Sequence, residues 1–300
     1  MLPDPLINSD VHTISITMSV VTLTTLWVFV MYEWLMGRYR QGKKTKLDWQ
    51  MAGLAFGFLA IVQRPALTYL IFIVMSVIFP VYDGAFHWVD LEYFWLSLFV
   101  YFLIDEYLHG RVHLFTHSAK PKRKWLERIQ AFYKVAHRPH HQLGGNDNKG
   151  ELSATHTYVE HWGWWLALPN YWFGLVCLYL GFYEVFLWGT VFKVVWGMHV
   201  HVNWGRSYDL YLLNHNNPVV RKLMYGLCHI LVFPNMHHQH HSRSRNSARN
   251  MCNVLSIFDW LLWDSLVIEK QRPQIYGWRQ SDEEASSAVF RFFNTDLNRH

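Results

Sequence analysis

Cysteine is scarce in this 300-residue chain, and several familiar catalytic signatures are missing from it. Cys177, Cys228 and Cys252 form no Cys-x-x-Cys pair and lie in or beside apolar segments, which argues against a disulfide framework or a zinc ribbon. A His-Glu-x-x-His motif is absent, so a zinc protease would lack its general base. No serine or cysteine stands in a nucleophile elbow or triad setting. Hydrolysis by any of these routes is therefore not expected.

A large excess of charge of one sign is also absent. The formal net charge is +5, from 27 Lys+Arg and 22 Asp+Glu, and the basic residues fall in short runs beside apolar segments. Orientation of membrane spans by positive charge explains these runs better than nucleic-acid binding, because no RNA- or DNA-reading motif accompanies them. The polar start MLPDPLINSD has no basic region, which argues against a cleaved signal peptide.

Long apolar stretches are abundant, and 51% of the residues are hydrophobic. Residues 14–36 have the length needed to cross the ~30 Å hydrocarbon layer, and the basic cluster GRYRQGKKTK follows them. Residues 51–82, interrupted at Gln63-Arg64-Pro65, predict either a kinked span or a helical hairpin. A third apolar run begins near Phe94 and becomes polar at Asp105. Residues 162–202 break near Gly181 and fit two spans of about 20 residues each.

These stretches predict an all-α integral membrane protein with about four to five transmembrane helices and a cytosolic helical cap. We expect a single membrane domain over residues 1–300, with N-terminal spans at 10–90, a catalytic region at 91–278 and a polar C-terminal tail at 279–300. Two spans between the second and third histidine clusters return the chain to one membrane face. That face is expected to be the cytoplasmic side of a bacterial plasma membrane or of the endoplasmic reticulum.

Histidine is the residue type in greatest excess, with 19 copies, and most of them gather in four clusters. The clusters are HGRVHLFTH, HRPHH, HVHVN and HHQHH. Positions i, i+3 and i+4 share one face of a helix, so His113 with His117 can point at one ion, as can His237 with His240 and His241. Adjacent histidines are rotated by about 100°, which allows one helix to serve two ions.

The HRPHH cluster has a local complication, and the number of histidines bears on the metal. Pro139 disfavours helical geometry at Arg138, so we expect His137 to precede a helix that begins near Pro139. Neutral imidazoles suit iron, copper, zinc and nickel, whereas magnesium and calcium prefer oxygen ligands. About eight or nine imidazoles are enough for two ions, so the sequence predicts a dimetal site.

These motifs resemble those of the fatty acid hydroxylase/sterol desaturase superfamily. The family has four histidine motifs, and the matching segments here are HLFTH, HRPHH, HVN at 201–203 and HHQHH. The resemblance continues in THTYVE and in NMCNVLSIFDWLLWD, where Asn250, Leu255 and Asp259 fall in register. It covers residues 91–278. Met251, Cys252, Trp263 and Asp264 depart from the family pattern and leave the substrate and subfamily open.

The resemblance implies a ligand set and no catalytic residue beyond it. The nine implied metal ligands are His113, His117, His137, His140, His141, His201, His237, His240 and His241. Residues that could add a ligand or support a ligating imidazole are His109, His156, His199, His238, Asp105, Glu106, Glu160, Asn203, Asn250 and Asp259. The two ions are expected to be iron, although a purified sample could carry zinc, and no haem or flavin is expected in the chain.

By the same resemblance, the expected function is that of a membrane-bound di-iron monooxygenase. It would hydroxylate a C–H bond of a fatty acyl, lipid-linked or sterol substrate with O₂. A His-Pro-Gly-Gly haem motif is missing, so electrons are expected from an external reductase with ferredoxin or cytochrome b5. Trp164, Trp165 and Trp196 are candidate lining of an apolar channel. Three alternatives stay open. Two are reactions at the same site, namely lipid desaturation and ether or aldehyde cleavage. The third is a divalent-metal transporter, which would hold histidines at different depths within its spans.

Overall fold

The regular secondary structure of the protein is helical in the residues that the computed structural model describes, namely 5–39, 44–142 and 151–278. These ranges contain no β-strand, only an isolated antiparallel bridge between Ser242 and Tyr276, so the predicted all-α class is confirmed. The α-helices are α1 (Pro5–Leu35), α2 (Lys46–Leu54), α3 (Arg64–Ile78), α4 (His87–Glu92), α5 (Phe94–His117), α6 (Lys124–His141), α7 (Trp164–Ala167), α8 (Pro169–Tyr179), α9 (Tyr183–His201), α10 (Tyr208–Leu213), α11 (Pro218–Leu227), α12 (Pro234–His240) and α13 (Ile257–Leu261). A π-helical segment, Ala55–Gln63, joins α2 to α3, and 3₁₀ turns occupy Pro80–Tyr82, Ala154–His156 and Arg245–Ala248.

Two long apolar helices precede the rest of the fold. The first contains the 25-residue stretch Val11–Leu35, and the second is the uninterrupted 33-residue helix Lys46–Ile78. At about 1.5 Å per residue, both are longer than the ~30 Å hydrocarbon layer. Both are therefore long and apolar enough to cross a membrane.

Residues 51–78 belong to one continuous helix rather than a hairpin, and a 3₁₀ turn follows at Pro80–Tyr82. Pro65 lies in the first turn of α3, directly after the π-helical segment. There the N–H of Arg64 donates to the carbonyl of Leu59, five residues back, which is the hydrogen-bond pattern of a π-helix. The helix therefore continues without a break up to Pro65. Of the two alternatives for this region, the single helix is therefore confirmed and the hairpin is wrong, while a kink at Gln63-Arg64-Pro65 stays a prediction.

Residues 162–202 form a helical hairpin that turns at the predicted glycine. Gly181 has φ +99°, a conformation that favours glycine, and a Cβ there would lie 2.8 Å from the backbone nitrogen of His87. The two arms are unequal, since α8 has 11 residues and α9 has 19. At about 1.5 Å per residue, α8 covers roughly half of the hydrocarbon layer, so the expectation of two spans of about 20 residues is wrong for this arm. The total of four to five spans stays a prediction.

Close packing of α5 against α8 and α9 brings two histidine-bearing helix ends together. Tyr101 on α5 is buried, and its ring stacks 5.4 Å from that of Phe173 on α8. A Cβ at Gly189 on α9 would lie 2.6 Å from the Tyr101 ring, so only glycine permits this approach. Because α5 and α9 both end in histidine, their packing sets the distance between His117 and His201.

Glu33, near the end of α1, ties the first apolar helix to the loops around the histidines. Its Oε1 accepts the N–H groups of Ala154 at 3.0 Å and of Asn203 at 2.7 Å, and its Oε2 accepts the hydroxyl of Tyr39. The side chain is fully buried. An acidic residue in an apolar helix is costly unless it is partnered, and here it accepts three hydrogen bonds.

Parts of the predicted organisation lie outside the described residues. These parts are the C-terminal tail at 279–300 and two basic residues of the loop after α1, Arg40 and Lys43. The division of the chain into spans at 10–90 and a catalytic region at 91–278 stays a prediction.

Replacing Glu33 with alanine should destabilise the fold. The N–H groups of Ala154 and Asn203 would stay buried without an acceptor, so we expect the free energy of unfolding to fall by roughly 2–4 kcal/mol. Thermal unfolding in detergent micelles measures the effect. Glu92→Ala is the control, because Glu92 is exposed. Equal unfolding midpoints for the two variants would contradict the role assigned to Glu33.

Candidate metal centre

Nine buried histidines gather in two groups at the ends of α5, α6, α9 and α12. In each group, one ring nitrogen per residue lies within 4.8 Å of the others. The first group is His113, His117, His137, His141 and His240, and the second is His140, His201, His237 and His241. These are the nine residues that the sequence predicts as ligands. Buried histidine groups of this kind could hold metal ions, and the role of each residue as a ligand stays a prediction.

Two helices contribute to both groups, whereas α5 and α9 each contribute to one. On α6, the neighbours His140 and His141 belong to different groups. The same holds for His240 and His241, where α12 ends. The rings of His141 and His241 stack 4.3 Å apart, so the two groups are in contact. The rotation of about 100° between adjacent helical residues thus places one helix beside both groups, as predicted.

The position of His137 differs from the sequence expectation. It lies within α6, and Pro139 is inside the last turn of that helix rather than at its start. Proline removes only one N–H donor this close to a helix end, which limits its cost there. The helical register puts His137 one turn before His141, with their Nε2 atoms 3.0 Å apart.

The hydrogen bonds of His140 and His201 favour a cation in the second group. The Nδ1–H of His140 donates to the carbonyl of His156 at 3.1 Å, and the Nδ1–H of His201 donates to that of Gly197 at 2.5 Å. A carbonyl can only accept, so both rings keep the proton on Nδ1 and carry a lone pair on Nε2. These Nε2 atoms lie 3.1 Å apart, and that of His237 lies 3.0 Å from His201. Lone pairs at this distance repel one another unless a cation lies among them.

The first group has a similar arrangement. The Nδ1–H of His113 donates to the carbonyl of Met251 at 2.7 Å, which leaves the Nε2 lone pair directed at His137, 2.9 Å away. Two tryptophans cover this group. Trp164 stacks on the ring of His137 at 4.5 Å, and Trp278 lies 5.3 Å from that of His141. Backbone carbonyls orient the rings, and the indoles shield them from water.

Burial keeps the clustered imidazoles neutral. It lowers the pKa of His137, His140, His141, His237 and His241 well below the usual value for histidine, and the neighbouring imidazoles lower it further. Neutral imidazole is the form that binds a metal ion, because its lone pair is free. This donor set suits iron, copper, zinc or nickel better than magnesium or calcium.

Glu106 and Asp259 support His113 through the backbone rather than through its imidazole. The Oε2 of Glu106 accepts three N–H groups, from Asn253 at 3.1 Å, Val254 at 2.7 Å and Leu255 at 3.1 Å. Asp259 accepts the N–H groups of Met251 at 2.8 Å and Cys252 at 2.9 Å. The two carboxylates fix the segment 251–255, whose Met251 carbonyl orients His113. Both carboxylates thus accept from backbone amides, and their role in supporting a ligating imidazole stays a prediction.

Sequence reasoning missed Lys193, which partners the acidic pair on α5. Its ammonium contacts the carboxylate of Asp105 and lies 3.2 Å from Oε1 of Glu106. Asp105 also accepts from the Asn170 amide at 3.2 Å, so it forms an ion pair and supports no imidazole. The sequence does carry a signal for this contact, because Lys193 is a lone lysine in the apolar stretch of α9 and a buried charge requires a partner.

The four additional candidate histidines lie outside both groups. His156 supports His140 through its carbonyl, while its ring contacts Lys44 at 2.8 Å and lies 3.7 Å from Asp48. The Nε2 of His199 contacts the Tyr208 hydroxyl at 2.8 Å, and the rings of these two residues stack. His238 contacts the hydroxyl of Tyr276 and the carbonyl of Val202. The ring of His109 lies 5.6 Å from that of His113.

The remaining candidates hold loops and form ion pairs. Glu160 forms an ion pair with Arg64. Asn203 donates to Glu151 at 2.6 Å. Asn250 has φ +55° and joins the carbonyls of Met236 and Val267 through its amide. None of these three joins either histidine group.

A cavity of about 280 Å³ adjoins both histidine groups. Five of the clustered histidines line it, His113 and His137 from the first group and His140, His201 and His237 from the second. Its apolar wall includes Ile14, Met18, Ala60, Pro65, Tyr101, Leu168, Leu178, Phe186 and Val194. Trp164 and Trp165 line it as predicted, whereas Trp196 does not and donates to the Val232 carbonyl at 2.9 Å. Its volume is near the lower end of the roughly 300–1,000 Å³ typical of small-molecule pockets.

No protein-family model, curated protein or solved structure matches the chain. The resemblance to the hydroxylase superfamily therefore stays a prediction from the motifs. The buried histidine cluster is compatible with a histidine-box metal site.

Purified wild-type protein should contain about two metal ions per chain. His140→Ala and His141→Ala remove ligands of different groups and should each leave about one ion, while the double variant should retain none. His199→Ala is the matched control and should keep both ions, since His199 lies in neither group. Elemental mass spectrometry checks the stoichiometry. Metal loss from His199→Ala, or full metal content in the double variant, would contradict the assignment.

Replacing Glu106 with alanine should loosen the first group selectively. The segment 253–255 would lose its acceptor and the Met251 carbonyl would shift from His113, so metal release from that group should speed up roughly 10- to 100-fold. Release kinetics with a chelator separate the two ions. Glu106→Gln keeps an amide oxygen as acceptor and should lie between wild type and Glu106→Ala, and Glu184→Ala, on the exposed face of α9, is the control. Equal acceleration of both ions would rule out a role specific to His113.

Proposed function

We propose that this protein is a membrane-bound di-iron monooxygenase that hydroxylates a C–H bond of a lipid with O₂. The observation that carries the proposal is the juxtaposition of two imidazole groups with an apolar cavity that adjoins both. An imidazole-only ligand set suits a redox-active ion, and the cavity offers an apolar chain a place beside it. The family resemblance of the four histidine motifs supports the same reaction.

The residues of this chain would bind and orient, while the ions would supply the oxygen chemistry. His113, His117, His137, His141 and His240 would hold one ion, and His140, His201, His237 and His241 the other. Two bound iron ions would supply activation of O₂, which no side chain in the cavity provides. Backbone carbonyls keep the Nε2 lone pairs of His113, His140 and His201 directed inward.

Membrane attachment follows in this proposal from the two long apolar helices. Val11–Leu35 and Lys46–Ile78 present large exposed apolar side chains, among them Trp27, Trp34 and Leu70. Residues of both helices line the cavity, including Ile14 and Ala60. A substrate dissolved in the bilayer would thus reach the histidines without leaving an apolar environment. Electrons would come from an external reductase with ferredoxin or cytochrome b5.

The divalent-metal transporter fits the described residues less well. A transport path needs ligands at successive depths, whereas the histidines form two contacting groups at one end of α5 and α9. The desaturase uses the same site and differs from the hydroxylase in its product.

Comparative lipid mass spectrometry tests the proposal. Cells that produce the active protein under ¹⁸O₂ should contain a lipid heavier by one ¹⁸O atom, and this lipid should be absent with His240→Ala, which removes a first-group ligand. His199→Ala, outside both groups, should retain the product. An unlabelled lipid that has lost two hydrogens would identify the desaturase instead. Altered metal uptake with no change in any lipid would favour transport.

A further inference from the structure

The wall of the cavity carries four charged side chains, and they are already paired. Arg64 forms an ion pair with Glu160, and Lys193 forms one with Asp105. The formal charge of this set is therefore zero. Burial raises the pKa of Glu160 to about 7 although Arg64 lowers it, so the carboxyl of the first pair ionises as the pH rises through that value. A free carboxylate in the cavity would have to displace Glu160 or Asp105 from its partner, which a neutral group need not do.

Outside the two histidine groups, three buried polar atoms on cavity-lining residues have no hydrogen-bond partner. They are two donors, Nε of Arg64 and Nε1 of Trp165, and one acceptor, Oδ1 of Asn170. Trp165 is only 4% exposed. Buried polar groups in folded proteins are nearly always hydrogen-bonded, and an unpaired one costs free energy. A ligand group that both accepts and donates would satisfy atoms of both kinds.

Contacts in the structure link these atoms to one part of the wall. The guanidinium of Arg64 lies 5.5 Å from the centre of the Trp165 ring, and that ring lies 4.4 Å from the ring of Tyr171. Asn170 precedes Tyr171 in α8 and donates to Asp105 at 3.2 Å. The donors and the acceptor therefore occupy connected residues of α3, α7 and α8.

We propose that this part of the cavity is a subsite for an uncharged polar group of the substrate, a hydroxyl or an amide, on an otherwise apolar lipid. The oxygen of such a group accepts from Trp165 and Arg64, and its hydrogen is donated to Asn170. The apolar chain then extends along the cavity toward His137 and His201. That the bound lipid is the substrate rests on the proposed function, whereas the binding preference is inferred from the cavity alone.

A binding experiment without turnover tests the subsite. Zinc-loaded protein in detergent at pH 8.5 is titrated with four compounds of equal chain length at equal mole fraction in the micelle. They are hexadecan-1-ol, hexadecanamide, hexadecanoate and hexadecane, and each competes with radiolabelled hexadecan-1-ol. The alcohol and the amide should bind at least tenfold more tightly than hexadecanoate and hexadecane. Equal or tighter binding of hexadecanoate or hexadecane would overturn the proposal.

A conservative pair of variants adds a matched control. Trp165→Phe removes the Nε1 donor and keeps an aromatic ring against Tyr171, so the affinity for the alcohol and the amide should fall by about twofold to tenfold. Trp172→Phe is the control, because Trp172 is exposed, does not line the cavity and already donates to the Leu166 carbonyl at 2.7 Å. Metal content and thermal unfolding verify that both variants are folded. Equal affinities in the two variants would contradict the subsite.

The proposed subsite and the proposed oxygenase activity can be contradicted independently of each other. Without turnover, the zinc-loaded protein reports only binding, so a preference for neutral polar lipids stands even if no ¹⁸O-labelled product forms. Formation of that product together with equal binding of all four compounds would overturn the subsite and leave the oxygenase in place. Asn170→Leu removes the acceptor and should weaken binding of the amide and the alcohol but not of hexadecane. An unchanged affinity for both would contradict the role of Asn170.

Discussion

The burial of nine imidazoles in two contacting groups is the constraint on which the rest of the structure depends. Their Nε2 lone pairs converge at about 3 Å, as between His140 and His201, an arrangement that is repulsive without a cation. Each ring therefore requires a fixed position, which the packing of α5, α6, α9 and α12 provides, and a fixed orientation, which backbone carbonyls provide for His113, His140, His201 and His240. The fold supplies both through residues that are far apart in the chain.

Buried charges do the positioning, and each acts across the fold. Glu33 joins α1 to the loops before and after the histidine helices. Glu106 joins α5 to the segment 253–255, and Lys193 of α9 lies against the same carboxylate. Such groups are stable in apolar surroundings only when they are paired or hydrogen-bonded. Because a buried charge needs its partners, it tolerates few alternative arrangements of them. Each of these charges therefore favours one packing of the helices and loops that it joins.

The cavity connects the histidines to the apolar helices, and this connection supports the proposed reaction. Its wall combines apolar side chains, histidines of both groups, two ion pairs, and unpaired donors and an acceptor. A lipid bound there would be held by its polar group and by its chain, so that one carbon could be kept beside the ions. Positioning of this kind is the contribution that a protein makes to chemistry supplied by metals.

Local spacing in the sequence determined the helical class, the turn at Gly181, the four histidine clusters and the division of adjacent histidines between two groups, while the set of nine histidines came from the family resemblance. These features depend on residues within about one helical turn, where the geometry is fixed by the backbone. Only the tertiary structure decided the remainder. It placed Pro139 inside the last turn of α6, so that His137 lies in the helix and not before it. In the tertiary structure, the carbonyl of Met251, 138 residues away in the chain, orients His113, and Glu106 accepts hydrogen bonds from backbone amides. Helices distant in the chain together line the cavity. Contacts between such distant residues form only when the whole chain packs, and no local pattern encodes them.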